Sequence, residues 1–189
     1  MINSYKDYKF YLEQDRLARG LPDHIKNPRF GRDIVWRWER LLRKVEYYTN
    51  CKKGVFCGVM RRLLMIKFRI MSVKLGFTIP INTFEEGLYI PHYGTIVVHQ
   101  NARIGKNCRI MECTNIGDSG GVPIIGNNCF ICTGAKIVGA VHLGNNVIVG
   151  ANSVVMKSID ENNVTIGGAP ARIISHKNSS IYIDKRLSR

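Results

Sequence analysis

The sequence predicts a mainly β chain, a parallel β-helix of hexapeptide repeats with an N-terminal α-helical domain, and three observations predict it. An aliphatic residue returns at every sixth position, first at Val98, Ile104, Ile110 and Ile116, then at Ile125, Ile131, Ile137, Leu143, Val149 and Val155. Glycine often follows the anchor (Gly105, Gly117, Gly126, Gly144, Gly150), and the residue four places after it is small or β-branched (Ala102, Cys108, Thr114, Cys129, Ala135, Val141, Val147, Ser153). Upstream of the repeat, apolar residues adopt helical spacing instead. A helix repeats its apolar positions at steps of three and four and a half-buried strand at two. A period of six therefore needs another unit, a short strand plus a tight corner, with each anchor stacked on that of the next coil. The glycines are expected where the backbone turns.

Taken in order, residues 4–19 carry the capping pattern Ser4-x-x-Asp7, then Tyr8, Tyr11, Leu12 and Leu17 at helical spacing, closed by Gly20 and Pro22. A second helix is expected from about Phe30 or Asp33 to Tyr48, where Ile34, Trp38, Leu41, Leu42 and Val45 form a stripe between arginines. A third runs from about Val55 to Lys74, with Val59, Leu63, Met65, Ile66, Ile70 and Val73 against Arg61, Arg62, Lys67, Arg69 and Lys74. Its apolar face is expected to cover the open end or side of the β-helix, because a solenoid needs a cap over its terminal coil. The alternative places it at an anionic membrane surface.

The two registers of the repeat differ by three residues, and the break falls at Asp118-Ser119-Gly120-Gly121-Val122-Pro123. Glycine beside proline is turn chemistry. The loop is either a tolerated bulge or an overhang on a groove between coils or subunits. From Ser175 the chain is polar and basic, and a mobile end is expected. Residues 1–76 thus form a basic helical region, 77–175 the β-helix and 176–189 a tail.

Length allows one medium domain plus an appendage. No run of eighteen apolar residues predicts a transmembrane helix, and Tyr5-Lys6-Asp7-Tyr8-Lys9 lacks the pattern of a secretory signal, so a cytoplasmic protein is expected. Cys129-x-x-Cys132 has metal-ligand spacing, but Cys108 and Cys129 fall in the small-residue slot and no second such pair occurs. Packing accounts for them, and no metal is expected. The net charge of +14 is concentrated in residues 1–76, which hold eighteen Lys and Arg against seven Asp and Glu. Such a field permits an anionic membrane, a phosphate-bearing ligand or nucleic acid. Sparse aromatic interleaving argues against nucleic acid.

The repeats followed by Gly168-Ala169-Pro170-Ala171-Arg172 resemble the left-handed β-helix acyltransferases that use acetyl-CoA. Within that superfamily, Gly87-Leu88-Tyr89-Ile90-Pro91-His92-Tyr93-Gly94-Thr95-Ile96-Val97-Val98 resembles the serine acetyltransferase segment that contains the catalytic histidine. The resemblance covers roughly residues 75–175. It implies that His92 is the general base, taking the proton of an acceptor hydroxyl as that oxygen attacks the thioester and passing it to the departing thiolate. His99 is the nearest competitor. Resemblance to sugar acetyltransferases carries cofactor contacts onto Thr133, Ala151, Lys157 and Arg172: a hydroxyl, a backbone for the pantetheine amides and two cations near the phosphates. The family also implies a homotrimer, with acetyl-CoA and a small-molecule or glycan acceptor meeting between neighbouring β-helices.

Two departures concern the acceptor. Serine acetyltransferases have a carboxylate upstream of the histidine, whereas Gly76-Phe77-Thr78-Ile79-Pro80 has none. They also keep a second histidine in the glycine-rich loop, absent from Gly120-Gly121-Val122-Pro123. Glu85 and Glu86 are the carboxylates available to orient His92. The expectation is accordingly an O-acetyltransferase acting on a sugar hydroxyl in surface-polysaccharide biosynthesis, with serine O-acetylation as the enzymatic alternative and a noncatalytic binding scaffold as the other.

Overall fold

The computed structural model describes residues 1–188. Three helices come first, α1 Tyr5–Ala18, α2 Ile34–Cys51 and α3 Val55–Leu75. Ser4 Oγ accepts the Asp7 N–H at 3.0 Å and so caps α1 as the sequence pattern requires. Gly76, at φ +79°, ends α3 in the left-handed conformation. Short strands follow: β1 Phe77–Thr78, β2 Ile96–Val98, β3 Arg103–Ile104, β4 Arg109–Ile110, β5 Thr114–Gly117, β6 Ile124–Ile125, β7 Phe130–Ile131, β8 Lys136–Val138, β9 His142–Leu143, β10 Ile148–Val149, β11 Val154–Val155, β12 Thr165–Gly168 and β13 Ala171–Ser175.

They make three sheets, in the orders β1-β2-β5-β8-β11, β3-β6-β9 and β4-β7-β10-β12-β13, one for each face of a prism. Every pairing is parallel until β13, which returns antiparallel on β12. Register advances eighteen residues per coil, as from Ile96 to Thr114 and from Lys136 to Val154. The step across the Asp118–Pro123 loop is twenty-one, Asn115 to Lys136. All ten predicted anchors lie within 2% of complete burial, and the small-residue slots are buried with them.

Two features differ from the sequence expectation. A further coil, residues 77–95, precedes Val98: Phe77 pairs with Ile96, Phe84 with Ile104 and Tyr89 with Arg109, so Ile90 stacks above Ile110. The insertion around Glu85-Glu86-Gly87 breaks the six-residue spacing there. The glycines after the anchors also serve closeness rather than turning. A Cβ on Gly105, Gly126 or Gly144 would lie 2.5 to 2.8 Å from a carbonyl oxygen of the next coil. The left-handed corner is taken instead by Asn107, Asn128, Asn146 and Asn163, at φ +55° to +63°. Their amides form a ladder, Asn107 donating to Asn128, Asn128 to Asn146 and Asn146 to Asn163 at 2.8–2.9 Å.

Buried acids hold the helices to the first coil. Asp15 of α1 accepts the Gly87 and Leu88 N–H groups, Glu39 of α2 that of Ile90, and Glu46 of α2 that of Asn82, at 2.8–2.9 Å. Arg43, fully buried, pairs with Asp15 and Glu46 and donates to the Phe84 and Glu85 carbonyls. Trp38 donates to Ser72 Oγ at 2.8 Å and stacks on Phe68, with its ring edge-on to Phe77, so α2, α3 and β1 meet at one indole. The face of α3 that turns inward carries Leu64, Phe68, Ser72 and Leu75. The predicted stripe of Val59, Leu63, Ile66, Ile70 and Val73 stays exposed. The cap is thus provided by acids of α1 and α2 and by a different face of α3.

Residues 176–187 run back along the β-helix. Ser179 is buried against the Asn128 and Asn146 carbonyls, Tyr182 packs on Phe130, and Arg186 reaches Asp23 and the Leu21 carbonyl. Tyr182, Tyr89 and Phe130 surround the Arg109 guanidinium at 4.7–5.7 Å.

Candidate functional site

Stacked coils place equivalent positions in columns, so the slot two residues after the third-face anchor defines a corner. With Ile90, Ile110, Ile131 and Val149 as anchors, that slot holds His92, Glu112, Thr133 and Ala151. The stacking is direct. A Cβ on Gly94 would lie 2.9 Å from Glu112 Cβ, Thr133 Oγ1 donates to the Glu112 carbonyl at 3.1 Å, and the Asn152 N–H donates to the Thr133 carbonyl at 2.9 Å. Three residues carried over by resemblance, His92, Thr133 and Ala151, therefore share one edge of the prism. Arg172, exposed in β13 opposite Gly167, stands at the foot of the same edge. Lys157, exposed just after β11, lies across the sheet at its other edge.

The surroundings of these groups differ. His92 is exposed, and its ring makes no hydrogen bond among the described residues. Neither the N–H nor the C=O of Ala151 is bonded among the described residues, which leaves an amide edge able to pair with another amide. Glu112 Oε2 is buried with no partner there. A buried carboxylate oxygen without a donor is costly, and this one lies directly below the histidine corner. The acid was legible in the sequence only with Ile90 counted as an anchor.

On the far side of the same sheet an open groove of about 520 Å³ is lined by Thr78, Val97, His99, Asn115 and Asp118, among others. Thr78 thus occupies the place where a carboxylate was missed, and Asp118 brings one to the rim. Asp118 accepts the Gly121 N–H at 3.0 Å, which folds the register-breaking loop against the groove. His99 Nδ1 accepts the Asn101 N–H at 3.2 Å, so the proton of the neutral ring sits on Nε2, a donor. The unengaged ring of His92 suits proton abstraction better. Glu85 and Glu86 do not reach His92. Glu85 holds the amino terminus at 2.8 Å and accepts from Tyr11, while Glu86 pairs with Lys106 at 3.0 Å. Both acids are spent on docking the first coil.

Cys108 and Cys129 are packing groups, buried in the small-residue slots of the coils. Burial raises the Cys108 thiol well above its usual range and pushes Cys129 to about 11. Among the described residues no group of three or more His, Cys, Asp or Glu could hold a metal ion, and no helix is long and apolar enough to cross a membrane.

Residues 123–157 match the bacterial transferase hexapeptide (six repeats) family. The chain is 35% identical over 173 residues to a serine acetyltransferase of Staphylococcus aureus strain Mu50, covering 89% of this chain and 76% of the relative. It is 32% identical over 175 residues to the serine acetyltransferase of Synechococcus elongatus, covering 89% and 66%. The crystal structure of Brucella abortus serine acetyltransferase superposes with a TM-score of 0.70 at 25% identity, over 93% of this chain and 72% of that one. Its complex with coenzyme A superposes at 0.69 and 25% identity, over 92% and 70%. The matched spans take in the helices as well as the coils, and the chain belongs to the serine acetyltransferase family of left-handed β-helix acyltransferases.

Proposed function

We infer that the protein transfers an acetyl group from acetyl-CoA to the hydroxyl of serine. The observation that carries this reading is the match to serine acetyltransferases across 89% of the chain. It replaces the sugar hydroxyl as the first choice of acceptor. The solved complex of the Brucella relative with coenzyme A supports the donor.

His92 acts as general base. It takes the proton of the acceptor hydroxyl while that oxygen attacks the thioester carbonyl, and it returns the proton to the sulfur as the tetrahedral intermediate collapses. Backbone N–H groups along the corner stabilise the oxyanion. Glu112, one coil below and with a buried carboxylate oxygen that has no donor among the described residues, is the carboxylate placed to orient the imidazole when the acceptor binds. Thr133 and Ala151 receive the pantetheine arm down the same edge, and Lys157 and Arg172 meet the phosphates. Those two cations stand at opposite edges of one sheet, an arrangement that suits a ligand held between two copies in the homotrimer that the resemblance implies. A cytoplasmic setting suits both substrates.

A sugar hydroxyl is the second reading, favoured by the groove at Thr78. Thr78 stands where a carboxylate would grip an amino acid's ammonium group, Asp118 reaches only the rim, and about 520 Å³ of open space leaves room for a ring. Free-thiol release from acetyl-CoA, measured with serine and with a panel of sugars and nucleotide sugars, decides between them. Turnover with serine alone supports the first reading, and turnover with sugars alone overturns it. His92→Ala should lower turnover by about 10²–10⁴-fold while sparing acetyl-CoA binding. Glu112→Gln should lower kcat and move the acid limb of its pH profile, with KM for acetyl-CoA little changed. Full activity in the His92 variant excludes the mechanism.

A further inference from the structure

The exposed stripe of α3 is the largest feature that acyl transfer leaves unused. Phe56, Val59, Leu63, Ile66, Ile70 and Val73 recur at steps of three and four, and each is more than half exposed. At 3.6 residues per turn they form one band, roughly 25 Å long, on the side of α3 away from its packed face. A continuous apolar band on a soluble surface marks an interaction site. The same geometry sets exposed Arg62 and Arg69 along one border of the band and exposed Lys67 and Lys74 along the other. From Tyr47 to Phe84 the sequence contains no aspartate or glutamate.

This charge pattern selects the occupant. A second copy of α3 docked seam to seam, in either direction, would set arginine and lysine against arginine and lysine along both borders, which is repulsive. An anionic bilayer offers the complementary sign. Its headgroups meet the two cationic borders while the apolar side chains enter the boundary of the acyl region, and the long Arg and Lys stems reach outward from beneath the band. We propose that α3 lies in the plane of an anionic lipid surface and holds the β-helix there as a peripheral membrane protein. The helix is too basic and too amphipathic to cross the bilayer, so binding is reversible and depends on salt. The proposal is independent of the acceptor, since the stripe and the corner column are on different elements.

Flotation of the full chain with phosphatidylcholine vesicles containing phosphatidylserine, compared with phosphatidylcholine alone, tests it. The protein should partition onto the anionic vesicles at least about tenfold more strongly, and lose that advantage at about 0.5 M salt, where exposed charges are screened. The double variant Ile66→Glu/Ile70→Glu should abolish partition, with acyl-transfer activity unchanged as proof of folding. The variant Arg62→Gln/Lys67→Gln/Arg69→Gln/Lys74→Gln keeps the apolar band and should weaken partition at least about tenfold. Absence of wild-type binding at low salt, or binding by either variant as strong as that of wild type, overturns the proposal. A fall in sedimenting mass for the glutamate variant also overturns it, because the band then belongs to a second copy of this chain.

Discussion

At Glu39 both carboxylate oxygens are engaged: one accepts the Ile90 N–H at 2.9 Å, the other pairs with Arg19 at 2.7 Å. Complete burial nevertheless pushes its pKa to about 7 from an ordinary value of 4.5, with Arg19 pulling the other way. The folded chain therefore holds this proton more tightly than the unfolded chain does. The associated stability is fully present below pH about 4.5 and is lost as pH rises through about 7. Replacing Glu39 with Gln should flatten that part of the pH dependence. Thermal unfolding midpoints of the two proteins between pH 4.5 and 7.5 check it, and parallel curves would contradict it. The sequence shows Glu39 only as one acid among arginines, because its proton affinity arises from docking against a coil fifty residues away.

Within the β-helix the limiting quantity is the distance between coils at a corner. A Cβ on Gly126 would sit 2.5 Å from the Gly144 carbonyl oxygen, and backbone cannot move aside as a flexible side chain would. Gly126→Ala should lower the unfolding free energy by roughly 1–3 kcal/mol, the usual cost of overpacking. Gly120→Ala, in the exposed loop at φ +74° with open space around it, should cost about 1–2 kcal/mol from backbone strain alone. Urea unfolding measures both, and a Gly126 variant as stable as wild type would show that the coils can separate. The anchors of these coils were legible because each is one of a periodic set. The asparagine ladder was not, since Asn107, Asn128 and Asn146 read as polar turn residues until their shared φ and bridging amides are seen together. The coil of residues 77–95 escaped for a related reason: it spans nineteen residues and loses the six-residue beat, although Ile90 is as buried as any later anchor. Its omission hid the relation between His92 and Glu112.

Across the whole molecule, Arg43 joins α1, α2 and the first coil through two acids and two carbonyls without exposing any of its surface. Arg43→Met would leave Asp15 and Glu46 buried and unpaired, a loss of about 3–5 kcal/mol, since removing one member of a buried ion network strands the others. Denaturant unfolding should show the helices and the β-helix losing stability together, whereas a β-helix of unchanged midpoint would show that the two parts fold separately. Periodicity revealed which residues make coils, but the fit between helices and coils rests on long-range polar contacts that no local pattern announces. The two ends of the prism have a last consequence. A stack of parallel coils is open at each end, and an open end is a template on which another chain could add, coil upon coil, into a fibre. Here the carboxylates of Asp15, Glu39 and Glu46 occupy the donors at one end, and β13 turns back antiparallel across the other. The same contacts that hold the protein together thus also cover edges on which a further coil could add.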